Sequence, residues 1–217
     1  MTLPRIVSRD EWRAAREALL VKEEVVTRAR DALGAERREL PMVEVDAEYV
    51  FEGGDGKATL RDLFEGRRRL LVHHFMFAPE STEGCPGCSE FLDNVGHLAH
   101  LWARDASFAV VSRAPYTRIL PFKARMGWTV PWYSSYGNDF DHDFPVTPDS
   151  AGETVERSGV SCFLRDRDQV FHTYSAYGRG LDGLGSATSF LDLMPPGAPL
   201  ATPLGGEGVR HHDAYEY

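Results

Sequence analysis

The run Leu70–Leu71–Val72–His73–His74–Phe75–Met76–Phe77, a polar loop, and then Cys85–Pro86–Gly87–Cys88 heading an amphipathic stretch constrain the fold more than any other part of the chain. A short, nearly continuous apolar run of this kind suits a strand covered on both faces. Beyond Cys88, the residues Phe91, Leu92, Val95, Leu98, Ala99 and Trp102 recur at helical spacing, which predicts one helix starting at the cysteines. Ser107–Phe108–Ala109–Val110–Val111–Ser112 is the next apolar strand. Strand, helix, strand at this spacing is a parallel crossover unit, so the fold class is α/β.

The position of the cysteines carries the chemistry. The first turn of a helix presents unpaired N–H groups and the positive end of the helix dipole, and both favour thiolate over thiol. Cys85 is therefore the candidate nucleophile, and Cys88, one turn on, the candidate resolving thiol. Pro86 suits the first helical position, where a missing N–H costs nothing. Three cysteines in 217 residues are too few for a secreted disulfide scaffold, and a close pair in a reducing compartment points to redox or metal chemistry. A zinc site would need two more ligands. On one helix, His97 and His100 would lie roughly 13 and 18 Å from Cys88 at ~1.5 Å rise per residue, too far to join. His73, His74 or a residue of the later hairpin are the remaining possibilities, and no metal is assigned. Cys162, inside an apolar strand, reads as a small buried side chain.

Lys and Arg total 24 against 33 Asp and Glu, a net charge of −9, which argues against nucleic acid or an anionic membrane as the main partner. No apolar run approaches the roughly 20 residues of a membrane span, and residues 1–10 lack the layout of a signal peptide. A cytoplasmic location is the expectation.

Three regions follow: an N-terminal helical arm over 1–40, a main domain over 41–194, and an irregular tail over 195–217. Ser8–Arg9–Asp10–Glu11 resembles a capping box, and the arm it opens has a thin apolar face suited to the main domain or to a second copy in a homodimer. Val43, Val45, Tyr49 and Phe51 alternate before Gly53–Gly54–Asp55–Gly56, a hairpin signal, and Thr59 to Phe64 reads as a capped turn. Tyr116 to Met126 reads as a helix, Trp128 to Phe144 as mostly loop, and Pro145 to Arg157 as an excursion. Val160–Leu164 and Val170–Tyr174 form a second hairpin, and Leu181 to Met194 a last helix. His211–His212–Asp213 either folds back towards the site or belongs to a simple tail.

The order strand, helix, strand, helix, hairpin, helix, with Cys-x-x-Cys after the first core strand, resembles the thioredoxin fold. Tyr49 to Phe64, Gly84–Cys85–Pro86–Gly87–Cys88, Gly127–Trp128, Trp132–Tyr133–Ser134–Ser135 and Phe171 to Gly180 together resemble an uncharacterised bacterial family. Its members carry the label of predicted dithiol-disulfide oxidoreductases of the thioredoxin superfamily. The resemblance implies a three-layer sandwich with a central mixed sheet, an N-terminal helical arm and a hairpin extension. It also implies a small-molecule or protein disulfide as substrate, an external thiol reductant, and no organic cofactor.

Departures from thioredoxin shape the expectation further. Gly84 stands where thioredoxins resemble Trp, and the position of their cis-proline is matched by Ser161. A smaller substrate than an extended peptide is thereby implied, with Trp132 and Tyr133 as pocket wall. A rival reading comes from peroxiredoxins, whose loop resembles Pro–x–x–x–Thr–x–x–Cys. Here Thr82 keeps its spacing to Cys85 while Pro79 is one residue short, and Arg157 or Arg113 would supply the arginine. A third class is a ligand- or metal-binding module with vestigial cysteines.

Overall fold

The computed structural model describes residues 4–144, 157–186, 189–190, 193 and 209–215. The arm is one helix, α1 (Arg9–Arg38), opened by a full capping box between Ser8 and Glu11. No residue of it is buried, so its stability comes from capping and local pairs rather than from a covered face.

The sheet is built around β4 (Arg69–His74), whose neighbours are β5 (Ala106–Ser112), parallel, and β7 (Gly159–Asp166), antiparallel. β7 turns back into β8 (Gln169–Tyr177) through Arg167, which takes positive φ. The order β5-β4-β7-β8, with the first pair parallel and the rest antiparallel, is that of the thioredoxin fold. Among the described residues, further strands extend it to eight: β1 (Val43–Glu44) beside β8, and β6 (Trp132–Ser134), β2 (Val50–Gly53) and β3 (Gly56–Thr59) beyond β5.

The crossovers are α2 (Pro86–Asp93), α3 (Ala99–Trp102) and α4 (Tyr116–Arg125). Cys88 and Leu92 of α2 and Ile119 and Phe122 of α4 pack in one core with Phe108 and Val110 of β5, so both helices cover the same face. Right-handed crossovers stepping one way along the sheet require this. Among the described residues, the other face is covered by a 3₁₀ turn at Asp62–Phe64 and by α5 (Phe140–Asp143), around Phe64, Val72, Val111, Phe140 and Phe163.

Several expectations change. The helix after the cysteines is not continuous: α2 ends at Asp93 and α3 begins at Ala99, because Asn94 and Gly96 interrupt an otherwise helical spacing. The Gly53–Gly56 hairpin forms between β2 and β3, but Val43–Glu44 pairs with β8 at the opposite edge. The stretch Trp128 to Phe144, read as loop, contributes β6 and α5. A 3₁₀ segment, Gly178–Leu184, replaces the start of the last helix. The remainder of that helix, and the excursion over 145–156, lie largely or wholly outside the described residues. Among the described residues, no helix is long and apolar enough to cross a membrane.

Candidate active site

Cys85 is the N-cap of α2 and Pro86 its first helical residue, as the motif predicts. An N-cap side chain faces the free amides two and three residues on, here Gly87 and Cys88. The Cys88 thiol directed at its sulfur is the largest influence on Cys85, followed by burial, which opposes it, and then by the amides of Cys88 and Gly87 and the His211 imidazole. Together they bring Cys85 down to about 6. Cys88 is fully buried and pushed upward, by burial first and then by Cys85 itself, so the proton resides on Cys88. The Met76 amide donates to Cys88 Sγ at 3.4 Å, and the Ser158 side chain also reaches that sulfur.

The backbone around Cys85 is held tightly. Its amide donates to the Met76 carbonyl at 2.9 Å, and its own carbonyl receives the Ser89 amide and hydroxyl, both at 3.0 Å. Gly84 has no room for a side chain: a Cβ there would lie 2.4 Å from Phe75 Cε1 and 2.9 Å from Phe122 Cε1. The aromatic bulk beside the turn comes from the core instead of from the residue preceding the cysteine.

His73 and His74 point to opposite faces, as strand alternation requires. His73 stacks on Phe91 of α2 at 4.4 Å, with Nδ1 3.0 Å from the Gly159 carbonyl, and burial pulls it down to about 4. His74 lies on the other face, stacked on Phe140, with Nε2 2.7 Å from Ser161 Oγ, and burial pulls it down to about 3. Ser161 in turn meets Ser175 Oγ at 2.7 Å. Ser161 therefore belongs to a buried polar chain on the face of His74, and the residue opposite the dithiol is Ser158, immediately before β7.

Trp132 is 2% exposed, packed on Phe75 at 4.6 Å with its indole N–H donating to Ser112 Oγ at 3.0 Å. Its side chain belongs to the core, while the residue also borders the depression beside Tyr133. Tyr133, next along β6, faces the opposite side and is half-buried against Gly53 and in a depression shared with Tyr116 and Lys123. Thr82 is exposed and is not among the groups acting on Cys85. Arg157 is exposed, and Arg113 acts on Asp141 of α5. Cys162 is held up by burial, in keeping with an unreactive side chain.

The groups that reach the turn without having been singled out in sequence are Arg118, Arg125 and Ser158. Arg118 donates to the Ser81 carbonyl at 2.8 Å, and Arg125 pairs with Glu83. Both arginines lie on α4, and only packing of that helix over the loop brings them there. His211 also folds back, its Nε2 2.9 Å from the Gly84 carbonyl. Among the described residues, no three His, Cys, Asp or Glu side chains converge as a metal site would require.

A sheet in thioredoxin strand order, with Cys-x-x-Cys capping its first crossover helix, defines a thioredoxin-like α/β protein. The chain belongs to the family described as bacterial protein of unknown function, DUF899, whose model matches residues 1–215. No curated protein matches it. Among solved structures it is similar to a mutant of peroxiredoxin Q from Xanthomonas campestris, at 15% identity and TM-score 0.49, over 70% of this chain and 97% of that one. It is also similar to the bacterioferritin comigratory protein of Xanthomonas campestris, studied for alkyl peroxide reduction, at 16% identity and TM-score 0.46 over 64% and 87%. A third is peroxidoxin BcpB from Mycobacterium tuberculosis, at 18% identity and TM-score 0.43 over 62% and 86%. Likeness at this level assigns no activity.

Proposed function

We propose that the chain is a dithiol-disulfide oxidoreductase in which Cys85 attacks and Cys88 resolves. The observation that carries this reading is the asymmetry of the pair: Cys85 drawn towards thiolate at the helix tip, Cys88 buried and held as thiol beside it. The Cys85 thiolate attacks one sulfur of a substrate disulfide, forming a mixed disulfide and expelling the other sulfur as thiolate. Cys88 then loses its proton and attacks Cys85 Sγ, releasing the second substrate thiolate and leaving Cys85–Cys88 oxidised. An external dithiol returns the pair to its reduced form, and no organic cofactor enters the cycle.

The small, tightly packed Gly84 and the absence of a proline at Ser158 favour a compact disulfide over an extended peptide. A peroxidase reading has less support, since Thr82 is exposed and Arg113 acts on Asp141. Cysteine-specific mass spectrometry of a Cys88→Ser variant incubated with a panel of disulfides tests the assignment. A mixed disulfide at Cys85 is the expected product. Oxidation of Cys85 by hydrogen peroxide far above free-thiol rates, with no disulfide trapped, would replace it by the peroxidase.

The working form is a homodimer joined through α1. Trp12, Leu19, Val26 and Leu33 recur every seven residues and are all exposed, while Arg30 and Arg37 of the same helix approach Gly183 and Tyr174 of the body. Arg30 and Arg37 flank that stripe, four residues on from Val26 and Leu33, and a helix about 45 Å long that leaves so many apolar side chains uncovered is suited to meet its own symmetry copy.

A further inference from the structure

We propose that His211, on a terminal segment far from the dithiol in sequence, is a positioning residue for Cys85, and that residues 209–215 form a strap completing the redox turn. This rests on the reading of Cys85 as the attacking sulfur. His211 is 7% exposed although it lies near the end of the chain, with its ring edge-to-face on Phe122 at 5.4 Å. Nε2 is 2.9 Å from the Gly84 carbonyl oxygen, and Nδ1 is 3.1 Å from Arg125 Nη2. A guanidinium has no acceptor and a carbonyl has no donor. In the neutral ring Nδ1 accepts from Arg125 and Nε2–H donates to Gly84; the protonated ring donates to Gly84 all the same, and its charge is then the last of the influences that favour the Cys85 thiolate.

The other charged groups facing this ring hold Arg125 in place. Glu83 pairs with Arg125 from the loop before Cys85, with its second oxygen 3.8 Å from His211 Nδ1, and Asp213 of the strap lies 3.0 Å from Arg125 Nε. The strap has a second anchor at the far end of α2. There, His212 Nδ1 is 2.9 Å from both oxygens of Asp93, which also receives the Trp128 indole N–H at 2.8 Å. It thus spans α2 from one end to the other.

The consequence falls on one peptide plane. The carbonyl of the Gly84–Cys85 peptide is held by His211 and its N–H by the Met76 carbonyl at 2.9 Å. Glycine is the residue least restrained against rotating that plane, and Gly84 is fixed as glycine by Phe75 and Phe122. With both ends pinned, Cys85 stays in the extended conformation of an N-cap and its sulfur stays at the tip of α2, where the amides of Gly87 and Cys88 favour the thiolate. Released at the carbonyl end, the plane turns and the sulfur leaves that tip.

The test is the pH dependence of Cys85 alkylation, read by site-resolved mass spectrometry, in full-length wild type and in His211→Ala, His211→Gln and His211→Phe. Glutamine keeps a donor for Gly84 and an acceptor for Arg125; phenylalanine keeps the ring on Phe122 but neither hydrogen bond. Expected is a midpoint raised by about one pH unit in the Ala and Phe variants, about tenfold less thiolate on the acid side, with Gln close to wild type. If the Ala variant does not fold, Phe against Gln decides. Equal midpoints in all four proteins, with only thermal stability changed, would overturn the role of His211 and leave the oxidoreductase reading intact. An ordinary midpoint in the wild type would instead overturn that reading.

Discussion

Replacing Cys88 by alanine removes the largest of the contacts that favour the Cys85 thiolate and leaves the amides of Gly87 and Cys88 and the His211 imidazole. Wild-type Cys85, at about 6, is about 90% thiolate at pH 7, against about 3% for a cysteine at the ordinary ~8.5. The Cys88→Ala midpoint should fall between those limits. A rate at a single pH would conceal the change, because each unit of increased basicity makes the remaining thiolate about threefold more nucleophilic. The assay is therefore the whole profile of iodoacetamide labelling at Cys85 from about pH 4.5 to about pH 9.5, with Cys162 read separately as internal reference. Cys88→Ser should stay nearer to wild type than Cys88→Ala, since its hydroxyl is also a donor. A Cys88→Ala profile superimposed on a wild-type profile that bends near 6 would show that Cys88 does not set the acidity. A wild-type bend near ~8.5 would refute the whole electrostatic account of the turn.

Gly84→Ala should cost about 1–3 kcal/mol in urea unfolding, because the new methyl meets Phe75 and Phe122, which sit in a packed core; an unchanged midpoint would contradict that packing. Burial holds His73 and His74 neutral in the fold, at about 4 and about 3, so the unfolded chain protonates first as the pH falls. The stability they confer is complete above ~6.5 and is lost through the window down to those values, about 3 kcal/mol for His73 alone. Urea midpoints at about pH 7.5 and about pH 5 should show the loss, and His74→Gln, which removes one of the two titrating rings, should roughly halve it. Leu19→Glu with Val26→Glu should convert a dimer to a monomer in light scattering while leaving Cys85 labelling unchanged; a monomeric wild type would remove the role given to α1.

The sequence by itself determined what local chemistry controls. Apolar β4, the helix-heading Cys85–Pro86–Gly87–Cys88 and the next strand were legible because burial and helix capping act over a few residues, and strand pairing then left one right-handed crossover available. The capping box before α1 and the Gly53–Gly56 turn were legible for the same reason. The tertiary structure alone decided which distant groups meet that turn. β6 runs for only three residues and leaves almost no periodic signal, so the core role of Trp132 emerged only from its packing on Phe75. Ser158 reaches Cys88 because β7 pairs with β4 in one register out of several that the alternation allows. Arg125 and His211 come to Gly84 from α4 and from a segment more than a hundred residues on, through contacts between surfaces, and no spacing along the chain encodes a meeting of surfaces.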